Sequence, residues 1–361
     1  MKRLLILSAS AGTGHLRAAE ALEVAAREEF PDLHAVHHDA LDLTNRFFKS
    51  VYGKSYILMV NHTPSLWGLL YKNMERNVER KNLDRAVKMY DKIAYKGLRK
   101  LVEAERPDAL LCTHFLPANV AIAQFGGKVP VSVVVTDYDV HKFWINPGVA
   151  RYFVATDEVA WQMARYGIPA DRIEATGIPI HPRFSRRKGI RKKGRTLLVV
   201  SSGFGGGDMV EIFRRLCAVD ADFQLTMIAG KNEKMRSRLA ELASSAPRPV
   251  KVFGFVDNIE DHMEGADLVV TKAGGLTVSE CLARRLPMVI FSPIPGQEER
   301  NCDYLLEQGV AVKAKNIDLL DFKVRELMTD GKRLNAMSSA AAKIAHPRAA
   351  FDILRRTMDA D

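Results

Sequence analysis

Short apolar runs alternate with amphipathic stretches along most of the chain. Leu4–Leu7 is the first such run, and behind it Leu16, Ala19, Leu22, Val24 and Ala26 recur at helical spacing. His34–His38, Ala109–Cys112, Val129–Val135, Arg151–Ala155 and Ile173–Ala175 continue the series in the first half. Thr196–Val200, Gln224–Ala229, Lys251–Phe253, Ala266–Val270 and Met288–Phe291 repeat it in the second. Runs this short and this rich in Val, Ile and Leu predict strands covered on both faces. Their alternation with helical patterns predicts parallel, doubly wound sheets of the α/β class. Each half opens with a strand and a glycine loop, so the chain reads as two similar Rossmann-like domains facing a cleft. The expected boundaries are 1–182 for the first domain, 183–195 for a basic linker and 196–345 for the second domain, with a C-terminal helix in 346–361 crossing back to the first.

Two stretches depart from that pattern. Residues 47–81 gather Phe47, Phe48, Tyr56 and Trp67 among Lys49, Lys54, Lys72, Arg76, Arg80 and Lys81. Such a segment either packs as an amphipathic helix on a sheet or lies in a lipid headgroup layer, rings at the acyl boundary and cations on phosphates. A long basic helix is expected next, over 83–105, ending before Pro107. The other departure, Pro182–Arg195, carries eight cations in fourteen residues and reads as an exposed linker. No aromatic or helical recognition pattern accompanies it, so a nucleic-acid partner is not expected.

Composition narrows the setting. With 361 residues, 47% apolar and 27% charged, the chain has the make-up of a globular protein with two substantial cores. The 53 Lys and Arg against 43 Asp and Glu leave a formal charge of +10, which favours an anionic partner such as an acidic membrane surface or a phosphorylated substrate. Cys112, Cys217, Cys281 and Cys302 lie far apart without metal-ligand spacing, as fits a reducing compartment. Met1–Leu7 runs into a glycine loop rather than a cleavage site, so it reads as a strand and not a leader. No run approaches the roughly 18–20 apolar residues of a membrane span. The expected location is cytoplasmic, peripheral on the inner face of the membrane.

Chemistry concentrates where strands end. Ala266–Val270 leads into Thr271–Lys272–Ala273–Gly274–Gly275–Leu276–Thr277–Val278–Ser279–Glu280, two glycines at a strand-to-helix turn. Backbone N–H groups and the helix dipole there suit a phosphate. After the next strand comes Pro295–Gly296–Gln297–Glu298–Glu299–Arg300–Asn301, whose Gln297, Glu298 and Asn301 offer donors and acceptors for hydroxyls. A carboxylate at Glu280 beside a diphosphate is repelled by it, so a neighbouring ribose diol is its natural partner. One loop for a diphosphate and another for hydroxyls suggest a nucleotide sugar.

In the first half, Ser8–Ala9–Ser10–Ala11–Gly12–Thr13–Gly14–His15 repeats the strand–glycine–helix logic. It is not a dinucleotide fingerprint, because the third glycine position holds Arg17. His15 is a base, a ligand-binding residue or a structural histidine. Its ordinary pKa near 6.5 suits general-base work, and Asp137 is placed to orient it or replace it. His114 and His141 are further candidates. Asp137–Tyr138–Asp139 spells an acid pair that elsewhere holds a divalent ion on a nucleotide diphosphate, but the glycine loops already serve the diphosphate, and no metal or other cofactor is expected.

These residues resemble the lipid-linked glycosyltransferases of the GT-B fold, above all the monogalactosyldiacylglycerol synthase and processive diacylglycerol glucosyltransferase family. Ser8–His15, Val135–Trp144, Thr271–Glu280 and Pro295–Asn301 carry the likeness. It implies an N-terminal half that binds an acyl-lipid acceptor and a C-terminal half that binds a UDP-sugar. It assigns uracil to the backbone at Val256, ribose to Glu280, phosphate to Gly274, Gly275 and Thr277, the sugar to Gln297 and Glu298, and the base to His15. His141 and Trp144 fall with the acceptor or the membrane. The loop around Gly203 departs from the peptidoglycan branch's Gly-Gly-Ser, which weakens a diphosphate contact there. The implied reaction is inverting, metal-independent hexose transfer from a UDP-sugar to 1,2-diacylglycerol. A UDP-sugar epimerase, a non-catalytic UDP-sugar sensor and transfer of N-acetylglucosamine to another lipid are the alternatives.

Overall fold

In the computed structural model, residues 1–10, 12–44, 97–190, 194–200 and 206–359 are described. Contacts divide the chain into one unit of residues 1–182 with 346–361 and a second of 183–345.

In the first unit, β1 (Lys2–Ser8), α1 (Thr13–Glu29), β2 (Leu33–Asp39), β3 (Ala109–Cys112), α2 (Phe115–Phe125), β4 (Val131–Val134), β5 (Arg151–Val154), α3 (Asp157–Arg165) and β6 (Ile173–Ala175) follow in order. The described strands form one parallel sheet in the order β2-β1-β3-β4-β5-β6. Leu5, Leu7, Leu110, Cys112, Val133 and Val154 face one layer of core, and Leu4, Ile6, Leu111, Val134 and Phe153 the other. That two-sided burial is why these strands read as unbroken apolar runs. Residues 97–105 are helical, as expected before Pro107; the rest of the predicted basic helix lies outside the described residues, as does 47–81 with Phe47, Phe48, Tyr56 and Trp67.

In the second unit run β7 (Thr196–Val200), α4 (Gly206–Cys217), β8 (Gln224–Ile228), α5 (Glu233–Ala243), β9 (Val250–Phe253), α6 (Ile259–Gly265), β10 (Leu268–Thr271), α7 (Gly275–Ala283), β11 (Met288–Phe291), α8 (Gln297–Glu307), β12 (Ala311–Ala314), α9 (Ile317–Thr329) and α10 (Gly331–Ile344). Their sheet is parallel, ordered β12-β11-β10-β7-β8-β9. The edge strand β12 is absent from the sequence reading.

The last helix, α11 (Ala349–Met358), belongs to the first unit and packs on α1. Phe351, Ile353 and Leu354 bury fully beside Ala19, Leu22 and Phe153, and each such side chain contributes about 1.5–3 kcal/mol. Arg348 closes the contact on Glu29 at 2.6 Å.

The basic linker holds a difference. Residues 186–190 are exposed, as expected, but their backbone is fastened to the second unit. Glu264 accepts N–H bonds from Lys188, Gly189 and Ile190. The buried guanidinium of Arg284 donates to the carbonyls of Arg183, Phe184 and Arg186 and lies 3.8 Å from Glu264. Composition announces solvent exposure; it does not announce two buried charges from 70 or more residues away in sequence.

In each sheet the strand order reverses at one point, between β1 and β3 in the first unit and between β7 and β10 in the second. Connections leave in opposite directions there, and a crevice opens beyond the strands' C-terminal ends.

Candidate active site

His15 and Thr113 meet at the first reversal. The register Leu7↔Cys112 sets the ends of β1 and β3 level, and Thr113 N–H bonds the Leu7 carbonyl. Gly12 precedes α1 with φ 149° and ψ 160°, a conformation open to glycine, and the helix then begins at Thr13 with no side chain capping it. His15 thus stands in the first turn. Its Nδ1 lies 2.7 Å from the Thr113 carbonyl oxygen and 3.1 Å from Thr136 Oγ1. Thr113 Oγ1 donates in turn to the His15 carbonyl at 2.9 Å. Burial is the main influence on the ring and pushes its pKa down to about 4, against a smaller upward pull from the Thr113 carbonyl. One expectation changes here, since the pKa is not the ordinary one, and two threonines join the groups that orient His15.

Around His15 stands a ring cluster. His114 meets it edge-on at 4.6 Å, Trp144 lies 6.2 Å away, and Phe115, His141 and Phe143 complete the wall. His114 Nδ1 accepts from Leu116 N–H at 3.0 Å, so it caps α2. Burial first, then the neighbouring His15 and His141, hold its pKa well below the ordinary value. Trp144 and His141 are 2% and 3% exposed, so neither lies on a surface that meets a headgroup layer. The membrane half of their expected role is therefore corrected. Trp144 Nε1 is buried without a hydrogen-bond partner.

Asp137 and Asp139 are half-buried in the segment after β4. Among the described residues no group of three or more His, Cys, Asp or Glu side chains is arranged as a metal-ligand set.

At the second reversal the chain leaves β10 through Lys272–Gly274 and enters α7. Gly274 occupies the N-cap, no side chain caps the helix and no acid lies in its first turn. All of Gly275–Ala283 is buried, including Thr277, Ser279 and Glu280 at 9%, 6% and 2% exposure. A buried helix start without a cap leaves N–H donors in want of a partner. Gly274 itself has φ −68° and ψ 132°, values any residue adopts, and a Cβ added there meets nothing nearer than Glu298 Oε1 at 3.6 Å. Neither backbone nor packing therefore requires a glycine. What the missing side chain leaves is room for a ligand to approach the backbone, as a phosphate does.

The neighbouring turn is built from side chains bonding backbone. Ser292, just after β11, takes the left-handed φ of 49°, and Gly296 follows at 96°. Glu298 accepts from Ile294 N–H at 2.7 Å, and Glu299 from Gly296 N–H at 3.2 Å. Asn301 is fully buried and donates to the Ala273 carbonyl at 2.9 Å. That corrects its expected place among the sugar ligands, since its amide fastens α8 to the glycine turn. Gln297 and Glu298 stay half-exposed at the start of α8, and Val256 is half-exposed after β9. Gly203 lies outside the described residues.

The monogalactosyldiacylglycerol (MGDG) synthase family model matches residues 15–180, and the glycosyltransferase family 28 C-terminal domain matches 209–353. A processive diacylglycerol beta-glucosyltransferase of Bacillus cereus is 33% identical over 98% of this chain and 92% of its own length. The chain belongs to that family. A member of the diacylglycerol glucosyltransferase family from Bacillus anthracis shares 32% over the same 98% and 92%. The fold is GT-B and the protein is a glycosyltransferase. Acinetobacter baumannii MurG superposes with a TM-score of 0.65 at 15% identity, covering 99% of each chain. The S. aureus MnaA–UDP structure gives 0.64 at 16%, covering 98% of this chain and 95% of that one. Shape alone thus ranks a likeness to MurG level with one to MnaA. Sequence separates this family from the rest of the fold.

Proposed function

We propose that this chain transfers a hexose from a UDP-sugar to 1,2-diacylglycerol at a membrane surface, with inversion and without a metal. The observation that carries this reading is the match to processive diacylglycerol beta-glucosyltransferase along 98% of the chain. A UDP-sugar epimerase shares the fold but not that sequence.

The first unit would take the lipid acceptor and the second the nucleotide sugar. His15 Nε2 accepts the proton of the acceptor hydroxyl, and that oxygen attacks the anomeric carbon from the face opposite UDP. The anomeric C–O bond to UDP breaks, and the departing diphosphate gathers charge. N–H groups at the start of α7, already oriented, stabilise it, and donors of this kind are worth about 3–4 kcal/mol each. Gln297 and Glu298 suit the sugar hydroxyls and Glu280 the ribose. Backbone donors here do the work that a cation does in other transferases, so activity should survive chelation. The charge of +10 supports an anionic membrane as the docking partner, on the cytoplasmic face. Among the described residues no helix is long and apolar enough to cross a membrane.

The test is product analysis with diacylglycerol liposomes and a panel of UDP-sugars, for the wild type and His15→Ala. A glycosyldiacylglycerol of inverted anomeric configuration is expected, with kcat lowered about 10²–10⁴-fold in the variant. Sugar epimerised without lipid product would overturn the reading.

A further inference from the structure

The geometry around His15 says which nitrogen holds the proton. Nδ1 lies 2.7 Å from the carbonyl oxygen of Thr113, and a carbonyl can only accept. Nδ1 therefore carries the ring hydrogen, with Thr136 Oγ1, at 3.1 Å, a second acceptor for it. Nε2 keeps its lone pair. The clasp is reciprocal, because Thr113 Oγ1 donates back to the His15 carbonyl at 2.9 Å. Thr113 is fully buried and Thr136 nearly so, at 4% exposure, each just beyond the end of a strand, β3 and β4. The clasp is thus built on the sheet itself, the most rigid support available.

We propose that Thr113 and Thr136 are the positioning residues of His15, locking its neutral ring in the Nδ1–H tautomer so that Nε2 receives the acceptor's proton. This rests on the reading of His15 as the base and adds the device that fixes it. A carboxylate in their place would stabilise the imidazolium and raise the ring's proton affinity. Two uncharged oxygens orient the ring without doing so, and burial then weighs against the charged form. The ring is ready to accept at any pH near neutrality and poor at keeping what it takes. The acceptor O–H bond breaks, an Nε2–H bond forms, and the proton passes on to water once the product leaves.

The experiment uses full-length enzyme labelled with ¹⁵N at histidine, its His15 signals assigned by their loss in His15→Ala. Wild type should show a protonated Nδ1 and an unprotonated Nε2 at neutral pH. Thr136→Val removes the side-chain acceptor of Nδ1 and should blur that pattern and lower kcat about ten- to a hundredfold with the KM for UDP-sugar unchanged. Thr113→Val keeps the carbonyl acceptor and loses only the hydroxyl bond to the His15 carbonyl, so it should lower kcat by less and leave the proton on Nδ1. Thr136→Ser should restore both readouts. A proton on Nε2 in the wild type overturns the proposal, and so does a Thr136→Val variant with wild-type kcat and spectrum. Undiminished turnover in His15→Ala would instead remove the base reading itself.

Discussion

Two helices begin at the strand-order reversals, each directly after the strand that crosses back. In the first unit α2 follows β3, and His114 closes its start by accepting from Leu116 N–H. In the second unit α7 follows β10, and Gly274 leaves its start uncapped. The places are equivalent in the two sheets, and one residue decides what becomes of the dipole. Where a side chain satisfies the helix, the site's chemistry passes to other side chains, and His15 stands beside the capped turn. Where glycine leaves the helix without a side-chain cap, the backbone is what the turn offers to a ligand. A doubly wound sheet offers the same crevice twice, and the two uses differ by the presence of a cap.

The sharpest way to break the comparison is to cap the open helix. Gly274→Ser fits the backbone already there, and its hydroxyl can accept from an N–H in the first turn. Its Cβ and oxygen would occupy the phosphate's approach. The fold should be retained, with stability raised by a few tenths of a kcal/mol, while kcat/KM for UDP-sugar falls about 10²–10³-fold. Calorimetric titration with UDP alongside thermal melting separates the two effects. A variant that binds UDP as wild type does would return Gly274 to the ranks of incidental glycines.

Asn301 sharpens the same point from behind the turn. Asn301→Ala leaves the buried Ala273 carbonyl without its donor, a loss of about 1–3 kcal/mol. The melting temperature should fall, and UDP affinity should weaken only as far as the turn loosens, about tenfold or less. If affinity collapses while stability holds, Asn301 touches the ligand after all.

Much of this arrangement was legible beforehand. Apolar runs such as Ala109–Cys112 and Thr196–Val200 coincide with strands because burial on both faces leaves nothing polar to blur them. The glycine turn at Gly274 and the placing of His15 beside a strand end followed from the same pattern. Ala311–Ala314 escaped notice since four residues with Lys313 among them, at a sheet edge, carry little periodic signal. Thr113 and Thr136 escaped for a deeper reason. Their bonds to His15 join residues 98 and 121 apart in sequence, and one of them is made by a carbonyl, which every residue possesses. Asn301 looked like a ligand because a polar residue in a polar motif says nothing about which way it points.

The smallest expected effect lies in the pH profile, and it bears on the histidine side of the comparison. An exposed histidine, with a pKa near 6.5, would lose about tenfold in its basic form between neutrality and pH 5.5. His15, held to about 4, stays unprotonated over that range. The kcat/KM of the free enzyme should therefore change by less than about twofold from pH 7 to 5.5 as far as this group is concerned. Stability moves the other way. Between pH 6.5 and 4 the unfolded chain binds a proton at His15 that the folded one refuses, so this contribution is complete above pH 6.5 and is lost as the pH falls. His114, lowered in the same direction, adds to the slope. Melting temperatures should drop through that window while initial rates at low temperature hold steady. An acid limb at 6.5 that disappears in no variant but His15→Ala would mean that the ring is wet and charged in the working enzyme, and that its threonine clasp opens before the lipid arrives.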